Sequence, residues 1–343
     1  MMRNKIESKI APTHTGAPLL EVKNLRVSFE TVNGRVLAVN DLNFSVQAGQ
    51  RIGIVGESGS GKSVAAQALM GILRGADISG EIIFQGTNLL ELEEDQFRKL
   101  RGWDISYVFQ DPLSALDPIR TIGDQVSQVL RLRNVKAAEA KKKTLEILDR
   151  VGIKDPQRRY SDYPHQFSGG MRQRAMIAMA LIGEPTLVIA DEPTTSLDVR
   201  VQAQVIDLLN KLTEEQGTAV IFITHDLSIM AGFAEHVHVM YAGNIVESAK
   251  TDEIYYRSIH PYTLGLLGSI PRIRGPVLKS LTAIKGKPPA PTNIPPGCPF
   301  HPRCTYASSE CAELKPTLQM PKSGNHLSAC HNSELLSQKN GSR

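Results

Sequence analysis

The stretch that decides the fold is Gly56-Glu57-Ser58-Gly59-Ser60-Gly61-Lys62-Ser63, a complete G-x-x-x-x-G-K-[ST] pattern. It follows a predicted strand, Ile52–Val55, and precedes a predicted helix, Val64–Leu73. Glycines let the backbone N–H groups of such a loop wrap a polyphosphate, and the helix start adds a positive dipole end. The lysine would neutralise phosphate charge, and the serine would bind Mg²⁺. Although a glycine-rich turn could match by chance, this context predicts that the chain binds a nucleoside triphosphate.

Composition describes an ordinary globular chain of 343 residues, of which 41% are hydrophobic and 22% are charged. At about 150 residues per domain, this length predicts roughly two domains. No apolar run approaches the ~18 residues of a membrane span, and residues 1–18 lack the apolar segment of a secretory signal. The net charge of +4 is too small to indicate nucleic acid binding. We expect a cytoplasmic protein with a flexible leader at 1–18.

Predicted strands and helices alternate along the chain. The strands are Leu20–Phe29, Leu37–Val46, Ile52–Val55, Glu81–Phe84, Ile105–Phe109, Thr186–Ala190 and Ala219–Thr224. The helices are Val64–Leu73, most of residues 111–165, Met171–Ile182 and Val201–Glu215. Asn33-Gly34 is a plausible hairpin turn between the first two strands. This order predicts an α/β fold with a mainly parallel sheet, covered by helices, and a phosphate loop at the carboxyl ends of the strands.

A pair of carboxylates follows the apolar strand that ends at Ala190. Asp191 would hold Mg²⁺ on the bound nucleotide, and Glu192 could polarise the attacking water as a general base. Two solvated acids at the end of a surface strand are the alternative. With a phosphate loop upstream, that alternative becomes less favoured.

A second glycine motif, Phe167-Ser168-Gly169-Gly170-Met171, precedes an Ala- and Met-rich helix and could bind an anion. Together with the phosphate loop, Gln110, Asp191-Glu192, Ser196-Leu197-Asp198 and His225, in this order, it makes residues 20–250 resemble the ATP-binding-cassette (ABC) ATPases. The commonest signature has Leu and Gln where this chain has Phe167 and Met171, so only the flanks of the motif depart from the family. The resemblance implies a phosphate-loop core sheet, an antiparallel β subdomain and a helical subdomain at about 111–170, within a nucleotide-binding domain at 19–258.

The resemblance also implies roles for individual residues. Phe29 would stack on adenine, although a core phenylalanine is an alternative, and the other nucleotide-binding residues would be Gly56, Glu57, Ser58, Gly59, Ser60, Gly61, Lys62, Ser63 and Val64. Catalysis would use Glu192, His225 and Gln110, and Mg²⁺ would be bound by Ser63, Gln110 and Asp191. Asp198 would bridge two cassettes in a head-to-tail dimer. The motif that would contact ATP on the opposite cassette comprises Ser168, Gly169, Gly170 and Met171.

All four cysteines of the chain, Cys298, Cys304, Cys311 and Cys330, fall within 33 residues. They follow a proline-rich linker at Lys285–Gly297. Disulfides are disfavoured in a reducing cytoplasm, whereas thiolates bind metal centres well. The gaps do not show the usual paired spacing of zinc sites.

The cysteine spacing, with His260-Pro261-Tyr262-Thr263 and Gly297–Cys304, resembles the C-terminal extension of oligopeptide and dipeptide permease ATPases. In that family four cysteines can hold a 4Fe–4S cluster, which implies a small metal-binding extension at 259–343. Zn²⁺ or unmetallated thiols remain open alternatives.

The resemblance implies the ATP-hydrolysing subunit of a bacterial peptide importer, bound to the cytoplasmic face of the inner membrane. Its cofactors would be ATP and Mg²⁺. Its partners would be a second ATPase subunit, two integral membrane permease subunits and, through the complex, an extracytoplasmic peptide-binding protein, with no nucleic acid. Related subunits that import nickel or murein peptides are an alternative. An ABC ATPase acting on DNA or the ribosome is disfavoured, because the chain lacks a long coiled-coil insertion and has one cassette.

Overall fold

A computed structural model describes residues 16–32, 34–195, 198–270, 284–322 and 326–340, the side chains of residues 339 and 340 excepted. The predicted leader at 1–18 therefore lies almost entirely outside the described residues, as do Asn33 of the predicted hairpin turn and Ser196-Leu197 of the cassette motif. In the described part of the chain, no helix is both long and apolar enough to cross a membrane.

The described residues form eleven strands in two sheets. They are β1 (Leu20–Thr31), β2 (Gly34–Val46), β3 (Arg51–Val55), β4 (Ala76–Phe84), β5 (Thr87–Asn88), β6 (Ile105–Val108), β7 (Leu187–Asp191), β8 (Ala219–Thr224), β9 (His236–Tyr241), β10 (Asn244–Lys250) and β11 (Leu327–Ser328). The first sheet has the order β2-β1-β4-β5 and is antiparallel throughout. The second has the order β11-β10-β9-β3-β8-β7-β6. It is parallel from β9 to β6, whereas β10 and β11 are antiparallel.

The helices of the described residues lie between and after these strands. They are α1 (Lys62–Leu69), α2 (Glu94–Leu100), α3 (Pro112–Ala115), α4 (Ile122–Val126), α5 (Gln128–Leu132), α6 (Ala137–Arg150), α7 (Pro156–Arg159), α8 (Gly169–Leu181), α9 (Val199–Gln216), α10 (Thr251–Arg257), α11 (Pro261–Gly268), α12 (Ser309–Glu313) and α13 (Ser333–Asn340). Five of them, α3 to α7, fall in the region 111–165 that the sequence predicts to be mostly helical.

The large sheet separates two hydrophobic cores. All residues of β7 and β8 are buried, as expected of central parallel strands covered on both faces. Because side chains alternate along a strand, Val220 and Phe222 pack into the core with α8 and α9, whereas Ile221 and Ile223 pack into the core with α1 and the antiparallel sheet. The strands are thus held rigidly from both sides, and so are the loops at their carboxyl ends.

The sequence-based strands all exist, and the largest shift among their ends is at β4, which begins at Ala76 instead of the predicted Glu81. The largest shift among the helices is at α1, which ends at Leu69 instead of the predicted Leu73, because Gly71 adopts the left-handed conformation (φ 60°) and breaks the helix. The linker at 285–297 has no helix or strand. Beyond it, the predicted extension does not stand apart, since its strand β11 pairs with β10 and adds an edge to the large sheet.

Candidate functional site

Three neighbouring parallel strands of the large sheet deliver the predicted site residues to one edge. The phosphate loop follows β3, Asp191 ends β7 with Glu192 next, and His225 follows β8. A cleft of about 540 Å³ opens there. It is lined by Glu57, Ser58, Gly59, Gly61, Lys62, Ser63, Val64, Gln110, Glu192, Thr195 and His225. Residues that are up to 168 positions apart (57 to 225) therefore meet in one cleft, because carboxyl ends of parallel strands share an edge.

The phosphate loop requires glycine at positions where the chain passes close to other backbone. A Cβ on Gly56 would lie 2.1 Å from the carbonyl oxygen of Met240. Gly61 has φ 99°, a left-handed conformation that favours glycine, and a Cβ there would lie 2.3 Å from the carbonyl oxygen of Ala38. The loop is thus pressed against β2 and β9 in a fixed shape, and α1 begins directly after it at Lys62.

Lys62 is the buried cation of the cleft, with 4% of its surface exposed. Its ammonium group donates to the carbonyl oxygens of Gly56 (2.7 Å) and Glu57 (3.0 Å), and lies 3.9 Å from Oε1 of Glu192. Burial lowers the pKa of Lys62, and the nearby carboxylates of Glu192, Asp191 and Glu57 oppose that change. The loop therefore holds a positive charge beside its backbone N–H groups, as phosphate binding requires.

Ser63 and Asp191 form an oxygen pair at the base of the cleft. The Ser63 hydroxyl donates to Oδ1 of Asp191 (2.9 Å), and the Tyr107 hydroxyl donates to Oδ2 (2.7 Å). Burial raises the pKa of Asp191, and these two hydrogen bonds oppose the increase. Hard oxygen donors of this kind suit Mg²⁺. Two of the three predicted Mg²⁺ ligands are thus adjacent, whereas Gln110 lies on the Glu192 side of the cleft.

Glu192 is the centre of a hydrogen-bonded cluster. Its Oε2 accepts from Gln110 Nε2 (3.3 Å) and Thr195 Oγ1 (2.8 Å), and lies 3.1 Å from His225 Nδ1. Glu192 itself has φ 44°, an uncommon left-handed conformation for a residue with a side chain. Such strain is typical of functional positions, where the surrounding structure holds it. The arrangement fixes a carboxylate that can accept a proton from water.

Phe29 does not line the cleft. It lies on β1, where it pairs with Val36 of β2 and Ala76 of β4, and it packs half-buried against the core of the antiparallel sheet. This position agrees with the alternative that Phe29 is a core residue, and its stacking on adenine stays a prediction.

The Ser-Gly-Gly motif and Asp198 lie outside the cleft, on the surface. Ser168 caps the N-terminus of α8 by accepting from the N–H of Met171 (3.4 Å), and both Ser168 and Gly169 are exposed. Asp198, also exposed, caps α9 by accepting from the N–H groups of Arg200 and Val201. Gly170 and Met171, in the first turn of α8, are half-buried. No residue of this motif lines the cleft of its own chain.

The four cysteines line a common small cavity of about 10 Å³ in the extension. All four are free thiols, so the disulfide alternative is not what the structure contains. Burial raises the pKa of Cys298 and Cys304, and that of Cys330 to about 12. Within the described ranges, no group of three or more His, Cys, Asp or Glu side chains could hold a metal ion as placed. The structure therefore does not support the predicted metal-binding extension, although its donor set faces one cavity.

Sequence reasoning missed two polar partners of the acidic pair. Thr195 lies three residues after Glu192, so the Thr-Thr sequence after Pro193 was a local signal for this contact. Tyr107 reaches Asp191 from the neighbouring strand β6. Its only local signal was a polar-tipped side chain in a short strand, Ile105–Val108, that also contains Ser106.

Comparison with known families matches residues 39–195 to the ABC transporter family, and residues 246–311 to the C-terminal region of oligopeptide/dipeptide transporters. The chain is 50% identical to the oligopeptide transport ATP-binding protein OppD of Escherichia coli K12, over 87% of this chain and 89% of that protein. It is 46% identical to a putative peptide import ATP-binding protein of Brucella abortus, over 92% of this chain and 95% of that protein.

A solved structure with a similar fold is the ATP-binding cassette MJ0796, in a dimeric post-hydrolysis state bound to ADP and Pi. It superposes with a TM-score of 0.62 at 29% identity, over 68% of this chain and 98% of that one. The two matched families and the similarity to ATP-binding proteins over 87% to 92% of the chain lead to one conclusion: the chain belongs to the ABC transporter family, in the group that carries the oligopeptide/dipeptide transporter C-terminal region.

Proposed function

We propose that this chain is the ATP-hydrolysing subunit of a bacterial importer of oligopeptides or dipeptides. The observation that carries the proposal is the single cleft in which the phosphate loop, Glu192 and His225 meet. The peptide substrate follows from the relatives with which the chain aligns over most of its length. The subunit would work at the cytoplasmic face of the inner membrane with two permease subunits, which would receive a peptide from an extracytoplasmic binding protein.

In the proposed reaction, the loop N–H groups and Lys62 bind the β- and γ-phosphates. Glu192 accepts a proton from a water molecule whose oxygen attacks the γ-phosphorus, and the bond to the bridging oxygen of ADP breaks. Gln110 and Thr195 orient the Glu192 carboxylate through their hydrogen bonds. Ser63 and Asp191 would hold Mg²⁺, which neutralises developing charge on the phosphate oxygens when bound. His225 would contact the γ-phosphate from the end of β8.

We propose that two cassettes bind head to tail, because the exposed Ser168, Gly169 and half-buried Gly170 present a helix N-terminus that the chain's own cleft does not use. This surface would complete the nucleotide site of a second, sister ATPase subunit, and Asp198 would bridge the two chains. The helical region at 111–170, within a nucleotide-binding domain at 19–258, would dock onto the permease subunits. Closure of the two-cassette dimer on bound ATP, and its opening after hydrolysis, would drive the transport cycle.

The proposal is tested with the assembled importer in proteoliposomes. ATP is enclosed inside the vesicles, and a labelled peptide is added outside. Lys62→Ala should abolish ATP binding, ATP hydrolysis and peptide uptake together. Lys211→Ala, a matched substitution of an exposed lysine on α9, should leave all three unchanged. Retained micromolar ATP affinity in Lys62→Ala would contradict the assigned nucleotide site. ATP hydrolysis without peptide uptake by the unsubstituted complex would contradict the proposal that peptides are the substrate.

We further propose that the extension at 259–343 binds a 4Fe–4S cluster through Cys298, Cys304, Cys311 and Cys330. Support comes from the donor set: four free thiols line one cavity, and the backbone N–H of Tyr306 donates to Sγ of Cys304. When bound, the cluster would supply a rigid cross-link among the segments that carry the four residues.

Metal and acid-labile sulfide content of anaerobically purified protein test the cluster. About four iron and four sulfide per chain, with broad visible absorbance, are expected, and both should be lost in Cys311→Ser. Stoichiometric zinc in a colourless sample would indicate the alternative metal, and absence of both metals would indicate unmetallated thiols.

A further inference from the structure

Arg303 of the C-terminal extension forms a two-pronged ion pair with Glu57, the second residue of the phosphate loop. Nη1 donates to Oε2 of Glu57 (2.6 Å) and Nη2 donates to Oε1 (3.0 Å). The Arg303 side chain is 5% exposed and that of Glu57 is 27% exposed. Bidentate pairs of this kind are stronger and more directional than single contacts. The extension therefore contacts the nucleotide site through a buried cation.

The remaining donors of Arg303 are also engaged. Nε donates to the carbonyl oxygen of Lys285 (3.0 Å), Nη2 to that of Gly286 (3.4 Å), and Nη1 to the Tyr241 hydroxyl (3.4 Å). The hydrogen bond to Glu57 foremost, and that to Tyr241, raise the pKa of Arg303. The guanidinium is thus a permanent charge whose position is fixed by the extension and by β9, independently of any nucleotide.

The backbone of Glu57 is held as well. Its N–H donates to the hydroxyl of Tyr262 (2.8 Å), a fully buried residue of α11 that packs against the rings of Tyr241 and Phe300. Both ends of Glu57 are therefore fixed by residues that lie outside the phosphate-loop motif. This matters because Glu57 lines the cleft.

The charge of Glu57 explains why a paired cation favours ATP binding. A carboxylate that lines a triphosphate site repels the phosphates, and the Glu57 carboxylate also opposes the lowering of the Lys62 pKa by burial. In a partly dehydrated cleft this repulsion is stronger than in water. A cation paired with both carboxylate oxygens cancels most of it.

We propose that Arg303 is a positioning residue for ATP binding: it neutralises Glu57 and holds the first turn of the phosphate loop open to the triphosphate. This inference rests on the proposed nucleotide site. It makes the extension part of the ATP-binding machinery, and it assigns Tyr262 the supporting role of fixing the Glu57 backbone.

A double-mutant cycle in the full-length chain tests this proposal, with the dissociation constant of MgATP measured by calorimetry. Arg303→Gln should weaken binding on the order of tenfold, because it leaves the half-buried carboxylate of Glu57 unpaired beside the phosphates. In a Glu57→Gln background, where no charge needs cancelling, the same substitution should change the constant less than about twofold. Arg303→Lys, which keeps the charge, should recover most of the affinity and provides a readout if Arg303→Gln does not fold.

Two further readouts separate positioning from a general effect on folding. The weakening in Arg303→Gln should appear in the KM for ATP of the assembled importer, with kcat changed much less. Equal losses of affinity in the unsubstituted and Glu57→Gln backgrounds, or wild-type affinity in Arg303→Gln, would overturn the inference. Lys62→Ala serves as the separate control: if it still binds ATP, the proposed nucleotide site itself fails, whatever Arg303 does.

Discussion

Nδ1 of His225 lies 3.1 Å from Oε2 of Glu192, although the two residues are 33 positions apart and follow different strands. The pairing arises because β7 and β8 are adjacent and parallel, so that their carboxyl ends bring an acid and an imidazole together. The His225 side chain is 51% exposed and the Glu192 side chain is 10% exposed. The imidazole is therefore the more exposed member of the pair, and both residues line the cleft.

His225→Ala should slow ATP hydrolysis by about 100-fold, the lower range for loss of one group that contacts the charge developing in the transition state. Because the side chain is half-exposed and packs little, the dissociation constant of ATP and the melting temperature should change little. Single-turnover hydrolysis and calorimetric binding measure the two effects separately. A parallel loss of binding and hydrolysis would instead indicate a folding defect.

Asp191→Asn should abolish Mg²⁺-dependent hydrolysis and yet stabilise the nucleotide-free fold near neutral pH. Burial raises the pKa of Asp191 in the folded chain. The folded state therefore binds the Asp191 proton more tightly than the unfolded state, and that contribution to stability is lost as pH rises through the folded pKa. A neutral Asn avoids the loss and keeps an acceptor for Ser63.

Urea unfolding of both proteins in EDTA, from pH 8 down to about pH 4, close to the ordinary aspartate pKa of 3.8, measures this effect. The free energy of unfolding of Asp191→Asn should exceed that of the unsubstituted chain most at the top of the pH range. The difference should be on the order of 1 kcal/mol, since each tenfold change in the acid dissociation constant of Asp191 corresponds to about 1.4 kcal/mol. It should shrink as the pH is lowered toward the ordinary aspartate value. A difference that is constant with pH would show that the carboxylate charge is not its cause.

Ser168→Asp and Ser168→Asn form a matched pair for the proposed dimer contact. Both side chains can cap α8, as Ser168 does, so both variants should fold with similar stability. Only Asp places a negative charge where the partner's γ-phosphate would lie. ATP turnover by the assembled importer should be at least about tenfold lower with Asp than with Asn, in keeping with the cost of juxtaposed like charges. Equal turnover would contradict the head-to-tail arrangement.

Much of the site could be predicted from sequence because its signals are local. The phosphate loop and the Asp191-Glu192 pair each follow a short apolar strand, and the carboxyl ends of parallel strands share an edge, so their convergence followed from the fold class. The pairing of Arg303 with Glu57 could not be predicted, since 246 residues separate them and nothing near Arg303 marks its partner. Similarly, β11 has only two residues and no pattern that a sequence can show.

The predictions for the extension depended on cysteine spacing and a family resemblance, and spacing does not fix how thiols are arranged in space. The backbone N–H of Cys298 donates to the carbonyl oxygen of Cys311 (2.8 Å), which brings two of the cysteine segments together. The cysteines therefore share a cavity, an arrangement that their spacing along the chain does not show.

The most direct test of the account compares Glu192→Gln with the unsubstituted chain in the assembled importer. Because Gln keeps the shape of Glu192 but cannot accept a proton from water, ATP should bind with unchanged stoichiometry while hydrolysis falls by about 100-fold or more and peptide uptake stops. The dimer should then be trapped in a closed, ATP-bound form that crosslinks across the two chains. Unchanged steady-state hydrolysis and peptide uptake in Glu192→Gln would contradict the account.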